Sequence, residues 1–234
     1  MTKGSVSAIE TFGLVDGPGI RTVVFLSGCR LRCIFCHNPE MLKKGENNYT
    51  PEQLVSKIIR NKPYFKRNNG GVTFSGGEPL LQMEFLIETC KLLKKENIHI
   101  ALDTAGVGNG DYEEILKLVD LVIFDIKALD NESYKYITNN KIDESLKFLD
   151  TCQQLNKKMW IRQVIIPGIN DNEEYILSLK KFIKPLKNIE KVELLPYHTY
   201  GVSKYEKLNI PYKLGDTKDM DIKRCQELEK LLLK

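Results

Sequence analysis

The sequence predicts an α/β protein built on a parallel sheet, and three observations carry that prediction. Short β-branched runs alternate with longer segments of helical period along the chain, the order that folds as strand, crossover helix and parallel strand. Several of the strand-like runs are almost wholly apolar, as strands covered on both faces are. With 42% hydrophobic and 28% charged residues over 234 positions, the composition is globular and excludes disorder and fibres. A chain of this length buries about 70–75% of the surface its unfolded form exposes. At roughly 150 residues per domain it makes one large domain or two small ones. No linker, repeat or low-complexity tract divides it, so one domain over residues 1–234 is expected.

The strands are predicted at 21–26, 71–74, 99–104, 121–126, 159–166 and 191–195. The first helix opens after Thr50, which can cap it, with Pro51 in the first turn and Gln53 placed to close a capping box. The next runs over about 82–96, with Phe85, Leu86, Cys90 and Leu93 on one stripe. Further helices are predicted at 111–119, 143–156, 172–186 and 219–233. Six strand–helix units fall short of an eight-unit barrel, and an open sheet and an incomplete barrel both satisfy the pattern.

Polar, glycine-containing clusters fall at the C-terminal ends of these strands: Gly28-Cys29, Ser75-Gly76-Gly77-Glu78, Asp103-Thr104, Asp125-Ile126-Lys127 and Pro196-Tyr197-His198. In parallel α/β folds that edge binds ligands, so five strand ends are expected to converge on one site. The net charge of +4 is too small an excess to point to nucleic acid. No apolar run approaches the ~18 residues of a membrane span, and the first residues, MTKGSVSAIETFG, have no signal-peptide apolar stretch, so a cytoplasmic protein is expected. Disulfides are rare in that compartment, and clustered cysteines there mean metal or redox chemistry.

Cys29, Cys33 and Cys36 lie in GCRLRCIFCHNPE with the spacing C-x3-C-x2-C, whereas Cys90, Cys152 and Cys225 stand alone in helical contexts as small apolar packers. Four readings compete for the cluster. Structural zinc needs four ligands, with His37 as the fourth. Cys33 to His37 matches the C-x-x-C-H haem-attachment pattern, but leaves Cys29 without a role and implies export. A thioredoxin-like dithiol at Cys33 and Cys36 also leaves Cys29 unused. A 4Fe-4S cluster with three protein ligands uses all three and leaves one iron open to an exogenous molecule.

C-x3-C-x2-C is the signature of the radical S-adenosylmethionine (SAM) enzymes, and the likeness extends further. ETFGLVDGPGIR, GCRLRCIFCHNP, GGVTFSGGEP, LDTAG, DLVIFDIK, WIRQVIIPG and VELLPYH follow one another in order. From about Ile9 to the last helix the chain resembles the glycyl-radical enzyme activases of that superfamily. The absence of a ferredoxin-like insert favours the branch that serves pyruvate formate-lyase. The resemblance implies a partial (β/α)6 barrel with the cluster, held by Cys29, Cys33 and Cys36, at the C-terminal edge of its strands. It further implies that SAM chelates the open iron and, on taking an electron from the cluster, yields a 5′-deoxyadenosyl radical that removes a hydrogen atom from a glycine of the partner enzyme. A reduced flavodoxin or ferredoxin is implied as electron donor.

The resemblance also assigns residues, each with a plainer competitor. Gly76 and Gly77 would let backbone approach the methionine end of SAM, or form a simple turn; Glu78 would accept from an ammonium, or face solvent. Asp125 and Lys127 alternate with Ile126 on one strand and point the same way; all three are assigned to SAM, against a rim salt bridge. Asp103, Thr104 and Asp125 are a candidate monovalent-cation site. His198 is a candidate SAM contact, and Phe35 and His37 candidate adenine contacts. Asp16, Gly17, Pro18 and Gly19 suit a loop that receives the partner's glycine segment, or a plain β-turn. Arg162 has no assigned role. Ala105 departs from the asparagine of related sequences, and the C-terminus is slightly short, so the last helix is expected to pack differently. Activation of another glycyl-radical enzyme, and a zinc-stabilised binding module without catalysis, are the alternatives.

Overall fold

The apolar runs pair side by side, and the alternation of their side chains divides the molecule into two faces. The computed structural model describes residues 2–46, 48–66, 69–108 and 110–234. Its strands are β1 (Gly4–Gly13), β2 (Arg21–Leu26), β3 (Asn48–Tyr49), β4 (Gly71–Gly76), β5 (His99–Thr104), β6 (Leu121–Ile126), β7 (Met159–Ile165) and β8 (Ile189–Pro196). They form one sheet in the order β3-β1-β2-β4-β5-β6-β7-β8, open rather than closed. From β2 through β8 every neighbouring pair is parallel. These are the six predicted strands in a curtailed barrel.

β1 and β3 add an antiparallel edge that the sequence pattern does not predict. β1 reads GSVSAIETFG, with glycine at both ends and few β-branched aliphatics, so it resembles punctuation more than a strand. Its start is fastened from outside the strand. The Gln82 amide accepts from the Ser5 N–H at 2.7 Å and donates to the Ser5 and Ser27 carbonyls at 2.9 Å each.

The helices are α1 (Pro51–Ile58), α2 (Lys62–Phe65), α3 (Met83–Lys95), α4 (Glu113–Leu118), α5 (Asn131–Thr138), α6 (Asp143–Gln154), α7 (Glu173–Ile183), α8 (Val202–Lys207) and α9 (Ile222–Leu233). α1 opens with the predicted capping box: the Gln53 N–H donates to the Thr50 hydroxyl at 3.3 Å, and the Thr50 N–H to the Gln53 side chain at 2.9 Å. The short helices α2, α5 and α8 are additions to the prediction. Asp130 caps α5 by accepting from the Ser133 N–H at 2.9 Å, and Asn139 ends it in the left-handed conformation with φ 56°.

On the outer face, Val72, Phe74, Ile100, Leu102, Val122 and Phe124 are buried in the main core. On the inner face, Ala101, Leu121 and Ile123 form a small apolar floor against Trp160. Above that floor the inward positions turn polar: Ser75, Asp103, Asp125 and Arg162.

Candidate functional site

The three clustered cysteines sit on the segment that leaves β2, and backbone hydrogen bonds from three directions shape it. Gly28 N and Cys29 N donate to the Met41 and Leu42 carbonyls at 2.7 and 3.2 Å. Arg32 N and Ile34 N donate to the last carbonyls of α5, Thr138 and Ile137, at 2.8 and 2.9 Å. From the end of β4, Gly77 N donates to Leu26 O and Glu78 N to Gly28 O, both at 2.8 Å. This last contact explains the two glycines. Gly76 takes φ +114°, and a Cβ there would lie 2.5 Å from the Leu26 backbone; on Gly77 it would lie 2.3 Å from Gly28 O. The two glycines thus let the end of β4 approach the cysteine segment itself.

Cys29, Cys33 and Cys36 line one wall of a cavity of about 250 Å³, room for far more than a single ion, since one water takes about 30 Å³ of the liquid. Gly76, Gly77, Glu78, Asp103, Thr104, Asp125 and Lys127 line it from the ends of β4, β5 and β6, with Phe35 and His37 beside the cysteines. Ser75, from the predicted Ser75-Gly76-Gly77-Glu78 cluster, also lines it, as do Leu31, Val164 and Leu195, which the sequence did not single out because aliphatics in strands or loops carry no chemical signal. Ile126 is not in the lining; it points to the helix-covered face and is buried in the main core, so its side chain makes no contact with the cavity. His198 also lies off the lining, stacked on His37 with ring centroids 3.8 Å apart. β8 therefore reaches the cavity through Leu195.

Asp16, Gly17, Pro18 and Gly19 lie outside the lining as well. Their loop crosses the inner face of the sheet, where the Asp16 carbonyl accepts from the Thr73 hydroxyl at 2.6 Å and the Pro18 carbonyl from Arg21 at 3.1 Å. Arg162, without a role in the sequence, ties this loop down: it donates to the Val15 carbonyl and, through Nε, to Glu193 at 3.1 Å.

Charge on the inner face is only partly matched. Lys127 pairs with Oδ2 of Asp125, while Oδ1 of Asp125 is buried without a hydrogen-bond partner. Burial works against the Lys127 ammonium, but Asp125, together with Cys33 and Asp103, more than offsets it and holds the group above its ordinary pKa. Asp103 accepts from the Ser75 hydroxyl at 2.7 Å, and burial, reinforced by Asp125 against Arg162, pushes its carboxyl up to about 6. Glu78 does not face solvent. It is 1% exposed and accepts from the Thr104 hydroxyl at 2.5 Å and the Leu80 and Ala105 N–H groups at 3.2 and 3.1 Å. Burial still raises it to about 7. The Thr104 hydroxyl thus donates to Glu78 while its oxygen accepts from the Gly106 N–H at 2.8 Å, and the candidate cation residues Asp103, Thr104 and Asp125 share the cavity lining.

Burial pushes the Cys29 thiol up to about 11 and the Cys33 thiol up to about 12, so they stay protonated until a metal displaces the protons. Among the described residues, no three His, Cys, Asp or Glu side chains converge as tightly as a single ion requires. His37, the fourth ligand that a zinc site needs, is instead 2.9 Å through Nε2 from the His198 carbonyl. Three thiols spread around a roomy cavity fit a multi-atom cluster.

Fold and cavity together define a parallel α/β protein with three clustered cysteines lining a cavity at its strand ends. The model of the Radical SAM superfamily matches residues 23–179. The chain is 54% identical over 233 residues to the pyruvate formate-lyase-activating enzyme of Clostridium pasteurianum, covering 99% of this chain and 98% of that one. It is 41% identical to the enzyme of the same name from Staphylococcus epidermidis (strain ATCC 12228 / FDA PCI 1200), covering 97% and 94%. A solved domain of a pyruvate-formate lyase-activating enzyme from Bacteroides vulgatus ATCC 8482 superposes with TM-score 0.57 at 27% identity, over 70% of this chain and 93% of that one. A radical SAM methyltransferase from Sphaerobacter thermophilus, 17% identical with TM-score 0.66 over 98% of this chain and 74% of that one, shares the fold. The chain belongs to the radical SAM superfamily and, within it, to the family of pyruvate formate-lyase-activating enzymes. Its cofactors are a 4Fe-4S cluster and SAM. No helix among the described residues is long and apolar enough to cross a membrane.

Proposed function

We propose that this chain activates pyruvate formate-lyase by removing a hydrogen atom from a backbone glycine of that enzyme, with Cys29, Cys33 and Cys36 holding the 4Fe-4S cluster. The observation that carries the reading is one cavity lined both by the three clustered cysteines and by Asp125, whose Oδ1 is buried without a hydrogen-bond partner. When bound, the cluster supplies one electron to the SAM sulfonium, releasing methionine and a 5′-deoxyadenosyl radical.

The chain's own residues bind, orient and exclude water. Asp125 Oδ1 is free to accept from the amino group of SAM, and the Lys127 ammonium sits where it can pair with the carboxylate. Phe35 and His37 offer flat faces to the adenine. Gly76 and Gly77 hold the cysteine segment close against the end of β4. Asp16 to Gly19 form the partner-receiving loop; beside them Leu14 and Val15 stand exposed in solvent, an apolar surface of the kind a partner covers. The electron donor is a reduced flavodoxin or ferredoxin.

The test is an anaerobic electron paramagnetic resonance spectrum of the reconstituted, reduced protein with SAM and pyruvate formate-lyase. The expected result is a glycyl-radical signal that requires SAM and disappears in Cys29→Ala, Cys33→Ala and Cys36→Ala. A cluster signal perturbed by SAM without a glycyl radical would reject the target and favour another glycyl-radical enzyme. Bound zinc without labile sulfide would overturn the cluster assignment.

A further inference from the structure

The buried hydroxyl of Tyr134 makes no hydrogen bond, and it lies beside the cysteine segment. Tyr134 is 1% exposed and packs with Leu31, Ala105, Val107 and Ala128 in a small cluster against which Cys29 and Cys33 also pack. Its OH is buried without a partner, although buried tyrosine hydroxyls ordinarily find one. The nearby Ser145 gives its own proton to the Ala105 carbonyl at 2.6 Å, which leaves its oxygen able to accept, but the Tyr134 hydroxyl is not in hydrogen-bond geometry with it.

The backbone fixes this arrangement. Tyr134 lies on α5, whose Thr138 and Ile137 carbonyls accept from Arg32 N and Ile34 N on either side of Cys33. The Thr138 hydroxyl in turn donates to the Tyr134 carbonyl at 2.7 Å. Helix and cysteine segment therefore form one unit, and the phenol keeps a fixed relation to Cys33. A neutral phenol donates, and a sulfur-rich cluster bound at Cys33 would offer this one an acceptor.

We propose that the Tyr134 hydroxyl donates a hydrogen bond to a sulfur of the bound 4Fe-4S cluster at its Cys33 corner and thereby raises the cluster's reduction potential; this rests on Cys29, Cys33 and Cys36 being the ligands. Reduction adds negative charge to the cluster sulfurs, so a donor aimed at one stabilises the reduced form more than the oxidised form.

Tyr134→Phe removes one oxygen and keeps the ring. Both proteins are reconstituted, assayed for iron and sulfide, and titrated anaerobically by electron paramagnetic resonance. The expected result is equal cluster content with a midpoint potential lower in the variant, by about tenfold in the reduction equilibrium, which is 59 mV for one electron. In D2O, pulsed resonance on the reduced wild type should show a coupled exchangeable deuteron that Tyr134→Phe lacks, a readout that packing loss alone does not produce. Equal potentials, or the same deuteron coupling in both proteins, would overturn the proposal while leaving the cluster assignment intact. A wild type that assembles no cluster would overturn both.

Discussion

The two faces of the sheet come from the same strands and obey opposite rules. In β6, Val122 and Phe124 point outward into a closed apolar core, while Ile123 and Asp125 point inward. Outward positions gain from burial at about 25 cal/mol per Å² of apolar surface. Inward, above the small apolar floor, carboxylates, a guanidinium and an ammonium are taken out of water, and one carboxylate oxygen has no partner. The outer face makes the fold stable; the inner face gives up stability that a charged ligand returns. Each period-2 strand thus divides the two tasks residue by residue.

The comparison is tested most severely on the outer face. Phe148 of α6 stacks near Phe124 at 6.0 Å and meets Tyr112 edge-on at 5.0 Å, so Phe148→Ala should cost about 3–5 kcal/mol, read as a lower urea midpoint. A loss under about 1 kcal/mol would mean that the outer face is not the stabilising one.

On the inner face the sign reverses. The folded chain holds the Asp103 proton up to about pH 6, whereas the unfolded chain releases it near 3.8. The native state binds more protons in that window, so stability falls as pH rises from about 4 to 6 and remains reduced above it. In the cluster-free, SAM-free protein at pH 7.5, Asp103→Asn should be more stable, by on the order of 2 kcal/mol, with a flatter pH profile. A variant less stable at that pH would show that Arg162 and Ser75 outweigh burial.

The smallest effect is expected away from both faces. Lys91 of α3 and Glu114 of α4 pair at 2.6 Å with both side chains more than half exposed. Glu114→Gln should shift stability by no more than about 0.5 kcal/mol; a larger change would mean that surface pairing contributes what is assigned here to the core.

The six parallel strands and the cysteine segment were legible because their signals are local: β-branched and apolar-rich runs of four to eight residues, and three cysteines at fixed spacing. β1 was not legible because its place depends on β2 and on Gln82, far along the chain. α5 was not because NESYKYIT is only two turns long and mostly polar, and its cap and docking define it. The alternation of Asp125 and Lys127 on one strand was read correctly, since period 2 fixes direction. The contact between Glu78 and Thr104 was not legible because it crosses from β4's end to β5's end, 26 residues on, a distance that spacing does not encode. The same holds for Arg162, whose partners Val15 and Glu193 lie far from it in sequence.

The fastening of the cysteine segment also sets a timetable for biosynthesis. Its backbone is held by the Thr138 and Ile137 carbonyls, and the Cys36 carbonyl by the Tyr205 hydroxyl at 3.0 Å, 169 residues downstream. At roughly 5–20 residues per second, the three thiols wait on the order of 10–30 s after leaving the ribosome before the last of these partners emerges. Iron therefore meets a shaped cradle only after most of the chain has been made, and the nascent cysteines pass through synthesis as free thiols.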